Sequence, residues 1–232
     1  MDKISVILPT FNERENIISL IPAIHSKLRD FSHEILVVDD QSSDGTAQAV
    51  TDLQDPGVRV IVRTEDHGYA KSIRCGIEQA AGDILILMDS DFNHDPRYLP
   101  VMAQTLSGCD CVSGSRFLKG GGMAPAWRGF LSRIFNLFIR LVTGGKMSDS
   151  LFGFFAIKRG SLKRCPLDEI FFGFGDYGIR LLFYLQKKRA GIVEFPAICG
   201  RRLAGRGNRR FFQTFCQYTA ATLALAGKGR IS

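Results

Sequence analysis

Acidic side chains follow two apolar segments of the chain, at positions where a strand would end. Asp39 and Asp40 come directly after the run EILVV. Asp89, Ser90 and Asp91 come directly after the run ILILM. Adjacent carboxylates repel one another unless a cation offsets their charge, and Mg²⁺ binds proteins through one or two carboxylates together with substrate phosphates. The D-x-D motif therefore predicts a divalent-metal site that also binds a phosphate group, the alternative being solvated residues of two turns.

The segments around these carboxylates predict a layered α/β fold. Fully apolar strands alternate with helices, which is typical of a mostly parallel sheet covered on both faces. Such sheets bind ligands outside the carboxyl ends of their strands, where the acidic residues fall. The predicted strands cover 3–9, 34–39, 58–62, 84–88 and a start at 111–113, and the predicted helices cover 12–28, 46–53 and 68–81. The segment PTFNE after the first strand lacks the G-x-G-x-x-G motif, which excludes a dinucleotide-binding domain.

Charge divides the chain into two unequal halves. Of the 232 residues, 1–115 hold 9 Lys and Arg against 18 Asp and Glu, whereas 116–232 hold 21 against 5. A basic half rich in phenylalanine indicates an anionic partner, while the acidic half argues against a nucleic-acid binder. The densest basic cluster lacks the interleaved aromatic residues on which bases stack. It comprises Arg201, Arg202, Arg206, Arg209 and Arg210.

Residues 127–142 (WRGFLSRIFNLFIRLV) predict a basic amphipathic helix. One stripe consists of residues that recur every four positions: Arg128, Ser132, Asn136 and Arg140. The remaining faces are apolar, which is the pattern of a helix in a membrane interface, the alternative being a core-packed helix. Residues 211–226 are too few and too polar to cross a bilayer, so they predict a packing or surface-associated helix.

The N-terminus and the cysteines favour a cytosolic setting. The first three residues lead directly into a strand-like run, so we expect no signal peptide. The six cysteines are scattered without a C-x-x-C pair, as expected of reduced thiols.

Six segments, taken in order, resemble the family 2 glycosyltransferases with a GT-A fold, and most closely the dolichol-phosphate or polyprenol-phosphate mannosyltransferases. They are SVILPTFNERENI, EILVVDDQSSDGT, GYAKSIRCGIEQAAGD, ILMDSDFNHDPRYLP, SGSRFLKGGG and SDSLFGFFAIKR. The resemblance implies a Rossmann-like sheet flanked by helices in one catalytic domain over 1–210, followed by an amphipathic helix and tail over 211–232. Within that domain, 1–115 would bind the nucleotide-sugar and metal, and 116–210 the acceptor.

The resemblance also assigns residues to the donor. The nucleotide-sugar would contact ten positions: Pro9, Phe11, Glu13, Val38, Asp39, Asp40, Asp89, Ser90, Asp91 and Arg116. Mg²⁺ or Mn²⁺ would be held mainly by Asp91, with Asp89 and Asn93 as further ligands. Arg116 would contact the phosphates, where an arginine and a metal stabilise a leaving diphosphate. Phe11 stands where the family usually has tyrosine.

The acceptor residues implied by the resemblance lie in the basic half. Arg128 and Ser132 match the lipid-phosphate contacts of the mannosyltransferases. Arg202 matches the first residue of the family's R-x-x-G-x-S-K motif, in which Gly207 and Asn208 here replace serine and lysine. Arg206 or Arg209 is the candidate replacement for the lost charge.

These features predict an inverting, metal-dependent transferase. The resemblance favours GDP-mannose as the donor, with a UDP-hexose as the alternative. The acceptor would be a polyprenyl phosphate, reached from the cytoplasmic face by docking on the membrane or on a membrane partner protein. A first rival is a family 2 enzyme acting on a sugar hydroxyl, with Asp176 as the general base; a helix N-cap is the structural alternative for Asp176. A second rival is a catalytically silent subunit that docks at the membrane.

Overall fold

The computed structural model describes residues 2–204 and 211–231, and its centre is one seven-stranded sheet. The strands are β1 (Ile4–Thr10), β2 (His33–Asp39), β3 (Val58–Val62), β4 (Ile84–Leu87), β5 (Cys111–Ser115), β6 (Phe155–Lys158) and β7 (Ile192–Pro196). Their order across the sheet is β3-β2-β1-β4-β6-β5-β7. β6 runs antiparallel to both of its neighbours, and the other pairings are parallel. The mostly parallel α/β sheet predicted from the sequence is confirmed.

Nine α-helices are described around this sheet. They are α1 (Arg14–Leu28), α2 (Thr46–Thr51), α3 (Tyr69–Gln79), α4 (Leu99–Thr105), α5 (Ala126–Thr143), α6 (Arg159–Leu162), α7 (Leu167–Ile170), α8 (Tyr177–Lys187) and α9 (Phe211–Ala226). Short 3₁₀ turns cover Pro96–Tyr98 and Leu106–Gly108. Among the described residues, none of these helices has both the length and the apolarity that crossing a bilayer requires.

Two apolar layers enclose the central strands, which explains why β1, β2 and β4 are almost continuously apolar. On one face, α1 and α4 pack their apolar stripes against β1, β2 and β4. On the other face, α3 and α8 cover the alternate residues of the same strands. Gly76 of α3 lies so close to β1 that a Cβ there would come within 2.5 Å of Ile7 Cγ2. The glycine thus permits the close contact of α3 with β1 and β2.

Both charge halves of the chain contribute strands to the one sheet. β1 to β5 come from residues 1–115, and β6 and β7 come from the basic half. α9 packs against α5 and α8, with Leu225 buried at the contact. The division into a catalytic domain over 1–210 and a tail over 211–232 stays a prediction.

Candidate active site

The D-x-D loop begins where β4 ends, and its backbone is fixed by two neighbours. The Ser90 hydroxyl donates to the carbonyl oxygen of Pro9 at 2.9 Å, which joins the loop to the end of β1. The Asp89 backbone N–H donates to Nδ1 of His94 at 2.8 Å, and His94 Nε2 lies 2.8 Å from the carbonyl oxygen of Phe152. Burial lowers the pKa of His94, so the neutral ring links the two loops. Sequence reasoning missed His94, although it lies only three residues beyond the motif.

Asp91 is the most perturbed carboxylate of the candidate site. It is buried, and it accepts hydrogen bonds from the backbone N–H of Asn93 at 3.0 Å and from Asn93 Nδ2 at 2.8 Å. Burial, followed by the charge of Asp89, raises the pKa of Asp91 to about 7. Two carboxylates therefore lie close enough to disfavour a second negative charge, which is the condition that a bound divalent cation relieves.

The donor atoms at this loop fit Mg²⁺ or Mn²⁺. Asp89 and Asp91 supply carboxylate oxygens, and Asn93 adds an amide oxygen. Within residues 2–204 and 211–231, no group of three or more carboxylate, histidine or cysteine side chains converges on one point. Mg²⁺ commonly binds through one or two carboxylates and completes its shell with phosphates and water. The site therefore suits a cation that arrives with a phosphorylated ligand.

Tyr69, at the start of α3, is a further contact of the D-x-D loop. Its hydroxyl donates to Asp89 Oδ1. Burial, and then the nearby charge of Asp89, raises the pKa of Tyr69 well above its usual value, so the phenol keeps the proton that it donates. No local pattern in the sequence indicates this pair, because 20 residues separate its members.

Arg202 lies between two carboxylates of the acidic half. Its Nη1 is 2.9 Å from Asp91 Oδ2, and its Nη2 contacts Glu13 Oε1. Its Nε donates to the carbonyl oxygen of Ala204 at 2.7 Å. The acceptor-phosphate contact that the resemblance implies for Arg202 stays a prediction. The other positions of the R-x-x-G-x-S-K motif, from Gly205 through Asn208, and also Arg206, Arg209 and Arg210, lie outside the described residues.

A second carboxylate pocket lies at the end of β2. Asp40 Oδ1 accepts from Arg63 Nη1 at 2.7 Å, and Asp40 Oδ2 accepts from the backbone N–H of Gly68 at 2.6 Å. Phe11 is 62% exposed beyond the end of β1, so its ring is free to stack on a planar ligand. Arg63 was not predicted from the sequence, and it adds a donor beside the Asp40 acceptor.

Three predicted pocket residues shape the strand ends with buried side chains. Asp39 is buried, and it accepts hydrogen bonds from the hydroxyl of Thr10 at 2.9 Å and from the hydroxyl of Ser42 at 2.6 Å. The Val38 side chain is fully buried and faces Gly76 of α3. Pro9 is buried as well and presents its carbonyl oxygen to Ser90. These residues therefore fix the backbone at the strand ends, and their contact with a nucleotide-sugar stays a prediction.

Arg116 forms a buried ion pair that joins the sheet to α5. Its Nε lies 2.7 Å from Asp149 Oδ2, and its Nη2 lies 2.8 Å from Asp149 Oδ1. The same Nη2 is 3.4 Å from the hydroxyl oxygen of Ser132. Burial lowers the pKa of Arg116, but the hydrogen bonds and the charge of Asp149 raise it by more, so the pKa of Arg116 is raised overall. Glu194 in turn accepts from the backbone N–H of Asp149 at 3.1 Å, so β7 supports the pair.

The polar stripe of α5 faces this ion pair. Besides the contact of Ser132, Asn136 is buried and accepts from the backbone N–H of Ser150 at 2.7 Å. Arg128 and Arg140, at the two ends of the stripe, are exposed. The opposite side, which we call the apolar outer face of α5, carries large side chains that are 43–64% exposed. They are Trp127, Phe130, Leu131, Ile134, Leu137 and Leu141.

Asp176 is held by contacts of its own loop. Its Oδ2 pairs with Arg180 Nη1, and its Oδ1 accepts from the backbone N–H of Phe174 at 2.9 Å. Arg180 Nε also donates to the carbonyl oxygen of Ile170 at 2.9 Å. The carboxylate is thus directed back toward the loop. Asp176 occupies the N-cap position of α8, as considered from the sequence, but its side chain makes no capping hydrogen bond there.

The parallel half-sheet ending in a D-x-D loop, joined to a basic half that extends the same sheet, is the architecture of a GT-A glycosyltransferase. The model of the family described as Glycosyl transferase family 2 matches residues 5–165. The chain belongs to this family, and the resemblance noted from its motifs is confirmed.

Similarity to individual proteins extends across most of the chain. A dolichol-phosphate mannosyltransferase of Pyrococcus furiosus is 34% identical over 88% of this chain and 58% of its own length, so the chain spans little more than half of that relative. An undecaprenyl-phosphate mannosyltransferase of Micrococcus luteus is 34% identical over 84% of this chain and 82% of its own. A dolichol-phosphate mannosyltransferase of Saccharomyces cerevisiae is 31% identical over 87% and 79%.

Solved structures confirm the fold. Glucosyl-3-phosphoglycerate synthase from Mycobacterium tuberculosis, in complex with Mn²⁺, UDP-glucose and phosphoglyceric acid, aligns with a TM-score of 0.73. The alignment covers 97% of this chain and 80% of that one, at 24% sequence identity. At this identity the likeness establishes the GT-A fold.

Proposed function

We propose that the protein is an inverting glycosyltransferase that moves a hexose, with mannose favoured, from a nucleotide-sugar to a polyprenyl phosphate at a membrane surface. GDP-mannose is the favoured donor. Support comes from family membership and from three relatives whose names specify mannosyl transfer to dolichyl or undecaprenyl phosphate. The observation that carries the acceptor half of the proposal is the orientation of α5.

The acidic half would bind the donor. Phe11 would stack on the base, and Asp40 with Arg63 would supply an acceptor and a donor at the edge of that pocket. Asp89, Asp91 and Asn93 would hold Mg²⁺ or Mn²⁺. A bound divalent cation neutralises charge on the leaving diphosphate. Arg116, fixed by Asp149, would present the edge of its guanidinium to the same phosphates.

The acceptor phosphate would approach between the D-x-D loop and the polar stripe of α5. Ser132 lies within 3.4 Å of Arg116, so a phosphate there would meet a hydroxyl and a guanidinium together. Arg128 lies one helical turn away and is exposed. A phosphate oxygen would form a bond to the anomeric carbon while the bond from that carbon to the diphosphate breaks on the opposite face. The nucleoside diphosphate leaves, and the sugar configuration is inverted.

A phosphate acceptor requires no general base. A phosphomonoester is largely ionised at neutral pH, because its second pKa is about 6. The carboxylate of Asp176 is already engaged by Arg180 and by the backbone of Phe174. These contacts support a lipid phosphate as the acceptor over a sugar hydroxyl.

The apolar outer face of α5 supports a reaction at a membrane surface. A helix that turns Ser132 and Asn136 toward the protein and six large apolar side chains toward solvent leaves an unusually apolar surface exposed. Phe212 and Phe215 of α9, the helix packed beside α5, are exposed as well. The exposed Arg133 and Arg140 would contact anionic headgroups. We propose peripheral attachment at the cytoplasmic face, directly or through a membrane partner protein.

The purified chain would be tested with radiolabelled nucleotide-sugars, undecaprenyl phosphate in vesicles, and Mg²⁺ or Mn²⁺. We expect the label to enter the lipid phase with GDP-mannose and not with UDP-glucose, and only when the metal is present. Asp91→Ala serves as the inactive control. Transfer from a UDP-sugar would identify that nucleotide-sugar, and not GDP-mannose, as the donor. Transfer only to a carbohydrate hydroxyl, or no difference between the wild type and Asp91→Ala, would contradict the proposal.

A further inference from the structure

His94 is a buried imidazole whose two nitrogens face different loops. Its side chain is 1% exposed, and its Nδ1 lies 2.8 Å from the backbone nitrogen of Asp89. Its Nε2 lies 2.8 Å from the carbonyl oxygen of Phe152. A backbone N–H only donates and a carbonyl oxygen only accepts, so Nδ1 carries a lone pair and Nε2 carries the proton. The two contacts therefore select one tautomer of the neutral ring.

Two phenylalanine rings hold His94 in this orientation. The Phe154 ring stacks on the imidazole, with centroids 4.7 Å apart and an interplanar angle of 3°. The Phe152 ring meets it edge-on, also at 4.7 Å, with an angle of 81°. Turning the imidazole over would place carbon atoms against the Asp89 N–H and the Phe152 carbonyl, and a buried polar group without a partner costs free energy. The ring thus has one favourable orientation.

The 152–153 turn that accepts from His94 is itself anchored. Gly153 has a φ of +80°, a left-handed backbone conformation that favours glycine. The hydroxyl of Tyr177, a buried residue of α8, donates to the carbonyl oxygen of Gly153 at 3.1 Å. The imidazole therefore joins the D-x-D loop to a fixed point of the protein.

The two loops that His94 joins belong to different parts of the candidate site. Asp89 is the first carboxylate of the D-x-D loop, which begins where β4 ends. Phe152 lies three residues after Asp149, and the Arg116 guanidinium carbon is 5.1 Å from the Phe152 ring centroid. Arg116 directly follows β5, and β4 and β5 are not neighbours, because β6 lies between them. In the described sheet the two strands are not paired directly, so the imidazole helps to set the distance between the carboxylates and the guanidinium.

We propose that His94 is a positioning residue for the transfer reaction: it holds the D-x-D carboxylates and the Arg116 guanidinium at a fixed separation, so that one diphosphate is contacted from both sides. It touches no reacting atom and acts through Asp89 and Phe152. The inference rests on the proposed function for the diphosphate, and on the contacts of His94 for the loop positions. Preorganised charges stabilise a leaving group when they are already in place, and a displacement of about 1 Å can cost about 10²-fold in rate.

The tautomer is tested on the wild-type protein, with ¹⁵N in its histidine rings, without metal, nucleotide or lipid. NMR correlation of ring nitrogens with ring protons distinguishes the tautomers, and the His94 ring is assigned through nuclear Overhauser contacts with the stacked Phe154 ring. We expect a bare Nδ1 and a protonated Nε2 at neutral pH. The opposite tautomer, or a proton on both nitrogens, would overturn the proposal even if every variant failed to fold.

Three variants separate the two contacts of His94. Asparagine places an amide oxygen near the position of Nδ1, and glutamine places an amide nitrogen near the position of Nε2. His94→Asn can therefore still accept from the Asp89 N–H, whereas His94→Gln can still donate to the Phe152 carbonyl. His94→Phe keeps a ring and loses both contacts.

Binding of Mn²⁺ alone tests the contact with the D-x-D loop, measured from the electron paramagnetic resonance signal of the free ion. His94→Asn should bind Mn²⁺ within about threefold of the wild type. His94→Gln and His94→Phe should bind it about tenfold or more weakly, the scale of losing an outer-shell partner of a metal ligand. Wild-type affinity in His94→Gln would overturn the role of His94 at the carboxylates.

The rate of transfer tests the separation itself, because the separation needs both contacts. His94→Asn should bind Mn²⁺ normally and yet transfer the hexose about 10²-fold more slowly per folded molecule, with the folded fraction taken from circular dichroism. The matched control is His33→Asn, at the start of β2 and the opposite end of the sheet, which should retain both the affinity and the rate. A wild-type rate per folded molecule in His94→Asn would overturn the positioning role. Failure of the wild type to modify a lipid phosphate would refute the proposed function, while the NMR and Mn²⁺ measurements would still decide the contacts of His94.

Discussion

The acidic and basic halves build their parts of the site in different ways. In the acidic half, Asp40 directly follows β2 and Asp91 lies in the loop that begins where β4 ends, so sequence position and spatial position coincide. In the basic half, Arg116 depends on Asp149, which lies 33 residues further along the chain. The proposed donor site thus depends on strand ends, whereas the proposed acceptor site depends on tertiary contacts.

This difference predicts that the basic half is the more sensitive to loss of one partner of a contact. Asp149→Ala would leave the buried guanidinium of Arg116 without its counter-ion, at a cost of about 3–5 kcal/mol in the free energy of unfolding. Urea denaturation measures this loss. The matched double variant Arg116→Met with Asp149→Leu should recover most of the stability while remaining inactive. Equal instability of the single and double variants would show that packing, not charge, dominates the contact.

Loss of the metal contact is the corresponding change in the acidic half. Asp91→Ala should lower the rate of transfer by about 10²–10³-fold, the scale of losing one electrostatic contact to a leaving group. Its stability should change little or improve, because a buried carboxylate with a raised pKa is removed. Asp83→Asn, an exposed carboxylate just before β4, is the control and should retain the wild-type rate. A fully active Asp91→Ala enzyme would remove the D-x-D loop from the chemistry.

The surface of α5 provides a test of the basic half that is independent of catalysis. Arg133→Glu with Arg140→Glu should reduce flotation with anionic liposomes by about tenfold or more, since each basic residue near the surface contributes about 1 kcal/mol. Lys27→Glu with Arg29→Glu makes the same charge change at the end of α1 and should float as the wild type does. Flotation should also weaken with salt. No flotation of the wild type at low salt would argue against the interfacial role.

Asp176 gives the smallest expected effect and separates the two acceptor chemistries. Asp176→Asn should keep the rate per folded molecule within about threefold of the wild type, because a phosphate acceptor needs no base. Initial rates, normalised to the folded fraction, measure it. A loss of about 10²-fold or more would identify Asp176 as a general base and favour a hydroxyl acceptor.

Local patterns predicted much of the fold. The strand at 58–62 and the helix at 211–226 have the observed bounds, and α5 differs by one residue at each end. Apolar periodicity is sufficient there because each element buries one clear stripe or one continuous run. β6 and β7 were not predicted. β6 has four residues and β7 is half-exposed, so neither carries a distinctive apolar pattern.

The candidate site was predictable only where its residues lie together in one local sequence motif. The D-x-D loop could be located because its carboxylates follow an apolar strand. Asp149 and Glu194 could not be located in this way. Nothing near them in the sequence shows that Asp149 pairs with Arg116, or that Glu194 accepts from the backbone N–H of Asp149. The position of Arg202 was unpredictable for the same reason. Its partners are set by the return of the chain past β7 to the D-x-D loop.

The structure of the reaction product distinguishes transfer to a lipid phosphate from transfer to a sugar hydroxyl. The chain, Mn²⁺, GDP-mannose and undecaprenyl phosphate in vesicles would be incubated together, and the lipid product examined by mass spectrometry and by NMR of the anomeric centre. We predict one hexose on the lipid phosphate, with the anomeric configuration opposite to that of the donor. A retained configuration, or a hexose joined to a carbohydrate hydroxyl with the lipid phosphate unmodified, would contradict it.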